Sequence, residues 1–490
     1  MQPQGIQLNK WEKGIGIGIL LMLVALASFL SEPLLLVTPF VFLFVLMTGL
    51  NWKLAFWFLL FSIPGSIELN FLGDTLSTSV PDEPIMWLLL LVFMILWAKQ
   101  PNILPAWWWK NPIVMIVVLQ YLWMIVCVIY SKETMLSVKF MAAKTWFLVS
   151  FFVLPVFIFK EKKDFKKAFI VLLVPLFITM VIILIRHAML GFSFRKIEKA
   201  ISEIYTNHVD YSTILSMVFC LLWIAFPLTR GTTWLMRLTV LFLIIFFLPV
   251  LYLTFARAAM VAVVFAIGIS IMVRLRLVNI VMPLFYGCLA VLMVFVVRDN
   301  HFLNFRPNFQ KTFMHNKFED HIIATIQGRD MSSMERVYRW IAAVRMSKEE
   351  PVTGYGPNAF YYYYKPYAVS SFKTYVSRND EHSTTHNYYL YMLVEQGYPG
   401  MILYAIFVVV VFAVGQRTYH RFKDRFYKKV TLGLIMMFAA GFINNFFSEL
   451  LESHKVGTVF YLGIALLVIL DHKSRQLEQG IDEEQAVIKP

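Results

Sequence analysis

The side chain best suited to proton transfer in this sequence is the imidazole of His386, in the motif Glu381-His-Ser-Thr-Thr-His386-Asn387. An imidazole is largely neutral near pH 7 and accepts a proton from a hydroxyl group as that hydroxyl attacks, so His386 is a candidate general base. A structural histidine is one alternative. A metal ligand is another, because His382 and His386 have i,i+4 spacing beside Glu381. The Ser-Thr-Thr sequence between them forms helices poorly and no third ligand is evident, so we expect neither a metal ion nor a cofactor.

Arg257 is a candidate anion-binding residue because it separates two apolar runs, in Leu253-Thr-Phe-Ala-Arg257-Ala-Ala-Met. An ionisable group within an apolar boundary costs on the order of 3 kcal/mol unless it is paired or hydrated, which makes it a functional candidate by default. The alternative is an arginine whose side chain reaches out to lipid headgroups.

Arg186 and Arg195 lie in a second basic segment, which ends at Asn207 and His208 before the next apolar run. A guanidinium group presents a rigid fork of donors that matches phosphate oxygens. Arg257 together with Arg186 or Arg195 would therefore form a clamp for a diphosphate. The choice between Arg186 and Arg195 stays open, and so does the alternative that this segment is only a hydrated run of charges.

Four further residues are candidate contacts for an acceptor or a glycan: Arg336, Arg339, Tyr362 and Asn387. Arg336 and Arg339 are three residues apart and share a helix face, where they would bind an acceptor or a diphosphate. The alternative is a polar face shared with Glu335. Tyr362 belongs to a run of tyrosines whose rings and hydroxyls suit sugars, although a membrane-interface belt or loop packing explains such a run equally well.

The composition of the chain predicts what holds these side chains in place. The 490 residues are 59% hydrophobic and 15% charged, with a mean hydropathy of +0.67. A soluble protein is close to half apolar and about a quarter charged. The excess apolar residues come in runs near the roughly 20 residues that cross a bilayer, and runs of this length span as helices. The sequence therefore predicts an all-α integral membrane protein with a bundle of about 12–14 transmembrane helices.

We predict fourteen spans, of which the fourth and tenth are short. They lie near residues 14–30, 34–50, 54–70, 85–98, 112–130, 140–159, 168–188, 209–228, 238–255, 258–273, 277–297, 388–413, 430–448 and 456–470. The predicted organisation is a transmembrane region of about eleven spans (1–297), an extracytoplasmic catalytic loop (298–387), three more spans (388–470) and a cytoplasmic tail (471–490).

The distribution of charge predicts the orientation. Residues 160–167 carry five lysines and residues 417–429 carry six basic residues, whereas residues 74–84 contain neither Lys nor Arg. Short basic loops stay in the cytoplasm, so both termini are predicted there, and residues 186–208 and 298–387 face outward. This bias also accounts for the net charge of +14, and we expect no nucleic-acid partner. Cys127, Cys220 and Cys288 all lie in apolar runs and form no disulfide framework or metal-ligand spacing.

The long outer loop has local structure of its own. Ser332-Ser-Met-Glu335 matches a capping box with Ser332 as the cap, and it predicts a helix to about Met346. Val337, Trp340, Ile341 and Val344 would share one face of that helix. Pro351 ends it, and Gly354-Tyr-Gly356 predicts a tight turn. A loop of this length with a helix and a turn is more typical of a working element than of a linker.

These motifs together resemble the O-antigen ligase and polymerase superfamily. The resemblance rests on Glu335-Arg-Val-Tyr-Arg-Trp340, Pro351-Val-Thr-Gly-Tyr-Gly356, His386-Asn-Tyr-Tyr-Leu390 and Glu395-Gln-Gly-Tyr-Pro-Gly400, preceded by Asn207 and Leu253-Thr-Phe-Ala-Arg257. It covers about residues 180–410. Ala256 and Ala258 replace the usual serine and glycine neighbours of the arginine, Asp210-Tyr211 follows Asn207 where small residues are common, and the loop before His386 is longer than in many ligases.

The resemblance implies a glycosyltransferase of the bacterial inner membrane that takes glycan from undecaprenyl pyrophosphate on the periplasmic side. His386 would be the base, and Arg257 with Arg186 or Arg195 would bind the pyrophosphate. The acceptor would be a hydroxyl of lipid A–core, of a second lipid-linked glycan or of a protein. Ligase and polymerase are thus both open. Direct attack implies inversion at the anomeric carbon, and no divalent ion is required if guanidinium groups stabilise the leaving diphosphate.

A transporter or flippase for lipid-linked glycans is the alternative from another class. Transporters carry broken Gly/Pro helices and charges near the bilayer midplane in two corresponding halves. Here the two halves show no repeat, and the basic residues of interest gather at the outer face. Pro155, Pro175 and Pro249 in the middle of spans keep this alternative open.

Overall fold

The structure is a computed structural model that describes residues 44–45, 48–49, 51–71, 76–305, 307, 330–369 and 384–479. Two strands, β1 (Ile67–Phe71) and β2 (Leu76–Val80), pair as an antiparallel hairpin. The helices in chain order are α1 Trp52–Ser62, α2 Asp82–Lys99, α3 Ala106–Trp109, α4 Pro112–Ile129, α5 Thr134–Leu148, α6 Pro155–Ile158, α7 Lys162–Met189, α8 Ile197–Ile201, α9 His208–Ala225, α10 Trp234–Leu253, α11 Arg257–Arg274, α12 Val278–Val297, α13 Met331–Glu349, α14 Phe360–Tyr363, α15 Tyr388–Arg421, α16 Arg425–Phe446 and α17 His454–Glu478.

Ten of the helical segments in the described residues are long and apolar enough to cross a membrane. They coincide with the last ten predicted spans, and they confirm the prediction of an all-α integral membrane protein. The first two predicted spans lie outside the described residues, except for four helical positions at 44–45 and 48–49. The helix α2 covers the predicted fourth span, with Asp82, Glu83 and Lys99 at its ends.

The predicted span at 54–70 is wrong in its second half. The helix α1 ends at Ser62, and the chain passes through Pro64 and Gly65 into the β1–β2 hairpin. Proline removes a backbone donor and glycine adds conformational freedom, so this pair interrupts a helix within an apolar run. Eleven helical residues extend about 17 Å at ~1.5 Å per residue, which is short of the roughly 30 Å of hydrocarbon.

The chain divides into two compact units. The first comprises Met1–Pro105, Trp146–Thr179 and Ile488–Pro490, and the second comprises Ala106–Thr145 and Met180–Val487. In the first unit α1 packs against α2, and the rings of Phe56 and Trp57 contact Phe159. All the candidate site residues in the described part of the chain belong to the second unit.

The core of the second unit is formed by α9, α16 and α17, which are the most buried of the ten long helices. The helix α16 packs against both α9 and α11, and α15 packs against α4. The helices α10 and α12 leave most of their apolar residues exposed, as expected for helices that face lipid. The last helix continues to Glu478, beyond the predicted boundary of the tail at residue 471.

The helix α15 is broken near its outer end, where one continuous span was predicted. Gly397 has φ 68° and ψ −174°, so α15 consists of two helical pieces joined at that residue. Residues 351–360, which we call the anchor segment, bind at the break. Tyr355 N donates to Val394 O (2.8 Å), and Tyr398 N donates to Pro351 O (2.8 Å). These bonds satisfy backbone groups that the break would leave unpaired.

The helix α13 begins two residues earlier than predicted, and Ser332 is not its cap. Asp330 is the N-cap, and its Oδ2 accepts hydrogen bonds from Ser333 N (3.0 Å) and Ser333 Oγ (2.8 Å). Aspartate is as good a cap as serine, and here it precedes the predicted box. The buried face also differs by about one position from the predicted one. It contains Tyr338, Ala342 and Met346, which pack with Leu390 and Leu393 of α15.

Candidate functional site

His386 lies at the N-terminal end of α15, directly before the residue that caps this helix. Asn387 Oδ1 accepts hydrogen bonds from Tyr389 N (3.0 Å) and Leu390 N (3.1 Å), and its Nδ2 donates to Phe446 O (3.0 Å). Asn387 therefore holds this helix end against the C-terminal end of α16. The glycan contact of Asn387 stays a prediction. The backbone of His386 has φ 51°, in the left-handed region that side chains other than glycine rarely adopt.

The imidazole of His386 faces a carboxylate that the sequence analysis did not identify. Its Nδ1 lies 3.7 Å from Oε1 of Glu449, in the loop between α16 and α17. His386 Nδ1 and Glu449 Oε2 are both buried and make no hydrogen bond within the described part of the chain. The His386 side chain nevertheless keeps 32% of its surface exposed. The exposed part excludes Nδ1, so Nε2 is the ring nitrogen left for a substrate.

Burial and two neighbouring arginines lower the pKa of this imidazole. Removal from water, followed by the positive charges of Arg339 and Arg336, holds the pKa of His386 well below its ordinary value of 6.5. Burial raises the pKa of Glu449 to about 7, although the charges of Arg339 and Arg336 and the N–H of His386 lower it. His386 is consequently neutral at pH 7, the form in which it accepts a proton.

Arg336 and Arg339 project from α13 into the same region. Arg336 Nε donates to Phe447 O (3.2 Å), and its Nη1 donates to Ser332 Oγ (3.1 Å). Burial, and then the neighbouring charges of Arg257 and Arg339, lower the pKa of Arg336 to about 10. Arg339 is 4% exposed, and its Nε makes no hydrogen bond to any described residue. A buried guanidinium with an open donor is costly, and an anionic ligand would offset that cost.

Arg257 is the first residue of α11, and it reaches α13 through an ion pair. Its Nη2 lies 3.0 Å from Oδ2 of Asp330, the residue that caps α13. The same carboxylate therefore caps the helix that carries Arg336 and Arg339 and fixes the third arginine beside it. We call Arg257, Arg336, Arg339 and His386, with the carboxylates of Asp330 and Glu449, the basic cluster.

Arg186 lies in the last turn of α7 and Arg195 in the segment that follows it, and these residues pack on the turn before Arg257. The ring of Phe255 contacts Phe194 (centroids 5.3 Å apart) and His187 (6.0 Å). Arg186 donates to Ser202 O (3.1 Å) and pairs with Glu203 at 3.3 Å, and the Arg195 side chain is exposed. The structure thus brings this loop next to the Arg257 turn, with Arg186 engaged by its own loop.

The remaining candidates lie at the edge of the site or outside the described residues. Tyr362 is 49% exposed on α14, within the outer loop, and its glycan contact stays a prediction. No group of three or more His, Cys, Asp or Glu side chains in the described residues has a metal-binding arrangement. Glu381 and His382, which the metal alternative requires, lie outside the described residues.

The sequence analysis missed Asp330 and Glu449. Asp330 lies two residues before the predicted cap, and Glu449 lies in a short loop directly after a predicted span. The signal available in the sequence was the pair of carboxylates Glu449 and Glu452, because a charged group next to hydrocarbon is energetically unfavourable and therefore a candidate for function. Glu452 accepts hydrogen bonds from Lys144 Nζ (3.0 Å) and Tyr388 (2.5 Å), whereas Glu449 faces His386.

The arrangement joins a neutral base to three guanidinium groups at one end of a helix bundle. Within the described residues, the carboxylates of Asp330, Glu335 and Glu449 lie near these arginines. Such a site stabilises negative charge that develops on a leaving diphosphate, while the imidazole takes a proton from an attacking hydroxyl.

Comparison with protein families is consistent with this chemistry. A family model described as O-Antigen ligase matches residues 240–405, and it confirms the resemblance to the O-antigen ligase and polymerase superfamily. A search of curated proteins found no match. The matched segment includes Arg257, Arg336, Arg339 and His386, but it excludes the loop with Arg186 and Arg195 and ends before Glu449. The match supports ligase- or polymerase-like function, with a lipid-linked glycan donor and an acceptor in the membrane.

Proposed function

We propose that this chain, whose residues 240–405 match the O-antigen ligase family, transfers a glycan from undecaprenyl pyrophosphate to an acceptor hydroxyl. The reaction takes place on the periplasmic side of the bacterial inner membrane, and both termini are cytoplasmic. The observation that carries the proposal is the basic cluster, in which a neutral imidazole lies beside Arg339 and Arg336, with Arg257 next to Arg336. The loop of residues 298–387 is its catalytic part.

The arginines of the basic cluster bind the donor diphosphate. Arg339 has a buried Nε donor without a hydrogen-bond partner in the described part of the chain, and Arg257 and Arg336 add positive charge. Charge grows on the diphosphate as the anomeric C–O bond breaks, and preorganised cations stabilise that charge without reorganising. Arg336 and Arg339 accordingly act on the diphosphate, the second of the two roles predicted for them. Arg186 and Arg195 add positive charge at the rim, from the loop that packs on Phe255.

His386 removes the proton of the acceptor hydroxyl through Nε2. The hydroxyl oxygen forms the new bond to the anomeric carbon, and the electron pair of the broken bond leaves with the diphosphate. A single displacement of this kind inverts the anomeric configuration. The guanidinium groups supply the positive charge that the leaving group needs, so this scheme requires no divalent ion. Tyr362, on the outer loop, contacts the glycan.

The leading assignment is a ligase, which passes the glycan to lipid A–core or another hydroxyl acceptor. The alternative within the superfamily is a polymerase, for which the acceptor is a second lipid-linked glycan. The two differ in the acceptor but share the donor and the basic cluster. A deletion strain separates them. Long chains that remain on the lipid carrier indicate a ligase, whereas single repeat units attached to core indicate a polymerase.

Replacement of His386 tests the reaction itself. We expect His386→Ala to lower the transfer rate by about 10²- to 10⁴-fold, because a general base contributes on that order. The lipid-linked donor should then accumulate in the outer leaflet, with normal amounts of folded protein. Donor trapped in the inner leaflet would instead indicate a flippase. Full surface glycan in the His386→Ala strain would exclude the proposed mechanism.

A further inference from the structure

We propose that Glu449 is a positioning residue that orients the His386 imidazole and stabilises its protonated form. The inference rests on the proposed function of His386 as the base. It adds a residue that lies between the last two helices, beyond the segment that matches the ligase family.

The geometry around Glu449 points to His386 as its partner. Within the described residues, the imidazole is the basic group that approaches the Glu449 carboxylate within 4.0 Å, at 3.7 Å from Nδ1 to Oε1. Arg336 and Arg339 are near enough to influence its charge, but neither forms an ion pair with it at that distance. Among the buried polar atoms that lack hydrogen bonds in the described residues, His386 Nδ1 and Glu449 Oε2 belong to this one pair.

The loop that carries Glu449 is hydrogen-bonded to the residue beside the proposed base and to an arginine of the basic cluster. Its start accepts hydrogen bonds from Asn387 Nδ2, at Phe446 O (3.0 Å), and from Arg336 Nε, at Phe447 O (3.2 Å). Asn445 Oδ1 accepts a hydrogen bond from Leu451 N (3.1 Å), which closes the loop on itself. These bonds fix the position of the Glu449 carboxylate relative to Asn387, beside the base, and to α13, the helix that carries Arg336 and Arg339.

The chemistry of this pair follows from the two ring nitrogens. A carboxylate at Nδ1 favours the tautomer that carries its proton there, which leaves the lone pair of Nε2 for the acceptor hydroxyl. When Nε2 takes that proton, the ring becomes a cation between Arg336 and Arg339, and a carboxylate at Nδ1 offsets the repulsion. The separation of 3.7 Å exceeds a hydrogen bond, and catalytic contacts of this kind shorten when substrate binds.

The pair also sets the pH dependence of the reaction. Glu449 faces His386, Arg336 and Arg339, and burial raises its pKa to about 7 despite those arginines. The pKa of His386 lies well below 6.5. As pH falls, the Glu449 carboxylate gains a proton before the His386 imidazole does. The neutral carboxyl group then no longer orients the imidazole through Nδ1. Turnover should therefore fall as pH decreases through about 7, and it should reach a plateau above that value.

The experiment compares Glu449→Gln and Glu449→Asp with a matched control, Glu452→Gln, in the full-length protein reconstituted in lipid nanodiscs. Glu452 lies on the same loop but bonds to Lys144 and Tyr388. The donor is the polyprenyl-pyrophosphate-linked glycan extracted from the deletion strain. Rates are normalised to folded protein and measured as kcat and KM from pH 5.5 to 8.5. Histidine ¹⁵N shifts, assigned with His386→Ala, report the tautomer without substrate.

We expect Glu449→Gln to lower kcat by about 10- to 100-fold, to leave the donor KM within about threefold and to remove the decrease near pH 7. Glu449→Asp should restore part of kcat and the pH dependence, and Glu452→Gln should keep the wild-type profile per folded molecule. An unchanged His386 tautomer and an unchanged acid limb in Glu449→Gln would overturn the inference. If His386→Ala is inactive while Glu449→Gln is normal, only this inference fails. If His386→Ala is active, the proposed function fails.

Discussion

Two regions next to α15 bury polar groups, and they do so in opposite ways. Where the anchor segment meets α15, Glu395 of that helix is 1% exposed and its carboxylate accepts hydrogen bonds from Asn358 N (2.6 Å) and Phe360 N (3.4 Å). In the basic cluster, Arg339 Nε, His386 Nδ1 and Glu449 Oε2 are buried with no hydrogen bond to any described residue.

This difference distinguishes buried polar groups that hold the fold together from buried polar groups that are available to bind a ligand. Buried polar groups in folded proteins are normally hydrogen-bonded, because an unpaired one costs about 1–3 kcal/mol. The anchor segment obeys that rule and holds the loop in place. Within the described residues, the basic cluster departs from it at Arg339 Nε, His386 Nδ1 and Glu449 Oε2, which is expected where a charged substrate completes the hydrogen bonds. We expect substitutions in the cluster to lower activity, and substitutions in the anchor to lower the amount of folded protein.

The largest loss of activity is expected when Arg339 of the basic cluster is replaced. Arg339→Gln should lower kcat/KM for the lipid-linked donor by about 10²- to 10³-fold, because one preorganised donor to developing charge contributes about 3–4 kcal/mol. The control is Arg345→Gln on the same helix, where Nη1 donates to Tyr367 O (2.8 Å) outside the cluster. Steady-state kinetics on equal amounts of folded protein measure both. Equal losses in the two variants would remove Arg339 from the diphosphate site.

An intermediate effect, on stability, is expected at Gly397. Its positive φ is strained for any other residue, and a Cβ there would overlap the carbonyl of Val352. Gly397→Ala should lower the free energy of unfolding by about 1–3 kcal/mol, and kcat per folded molecule should change little. Thermal unfolding in detergent measures the loss. Gly268→Ala is the control, since a Cβ at Gly268 meets no atom within 4 Å. A stable Gly397→Ala protein would show that the anchor does not depend on the break.

The smallest effect is expected at the rim. Arg186 is exposed and paired with Glu203, so Arg186→Ala and Arg195→Ala should each raise the donor KM by no more than about fivefold. The change should shrink at high salt, because exposed charges are screened. Lys199→Ala, in the same loop, is the control. The arginine whose replacement has the larger effect is the one that contacts the diphosphate. A loss as large as that of Arg339→Gln would show that this arginine belongs to the centre of the site and not to its edge.

Hydropathy was enough to predict most of the fold, because a run of apolar residues specifies a spanning helix locally. His386 and the arginines at 257, 336 and 339 could be named as candidates because their chemistry is also readable locally, and their roles stay predictions. Asp330 and Glu449 could not be named in this way, since each acquires its partner from a segment distant in sequence. The break at Gly397 had a local signal in Gln396-Gly-Tyr-Pro399, but the apolar residues on both sides outweighed it in the span prediction.

The attachment of residues 351–360 to α15 has a consequence for the spacing of the site. The anchor segment bonds to α15 at Val394, and α13, which precedes the anchor segment, packs on Leu390 and Leu393 of the same helix. His386 lies two residues before the first residue of that helix. One helix end is therefore the common reference for the base and for the helix that carries the arginines, so a shift of that end moves both.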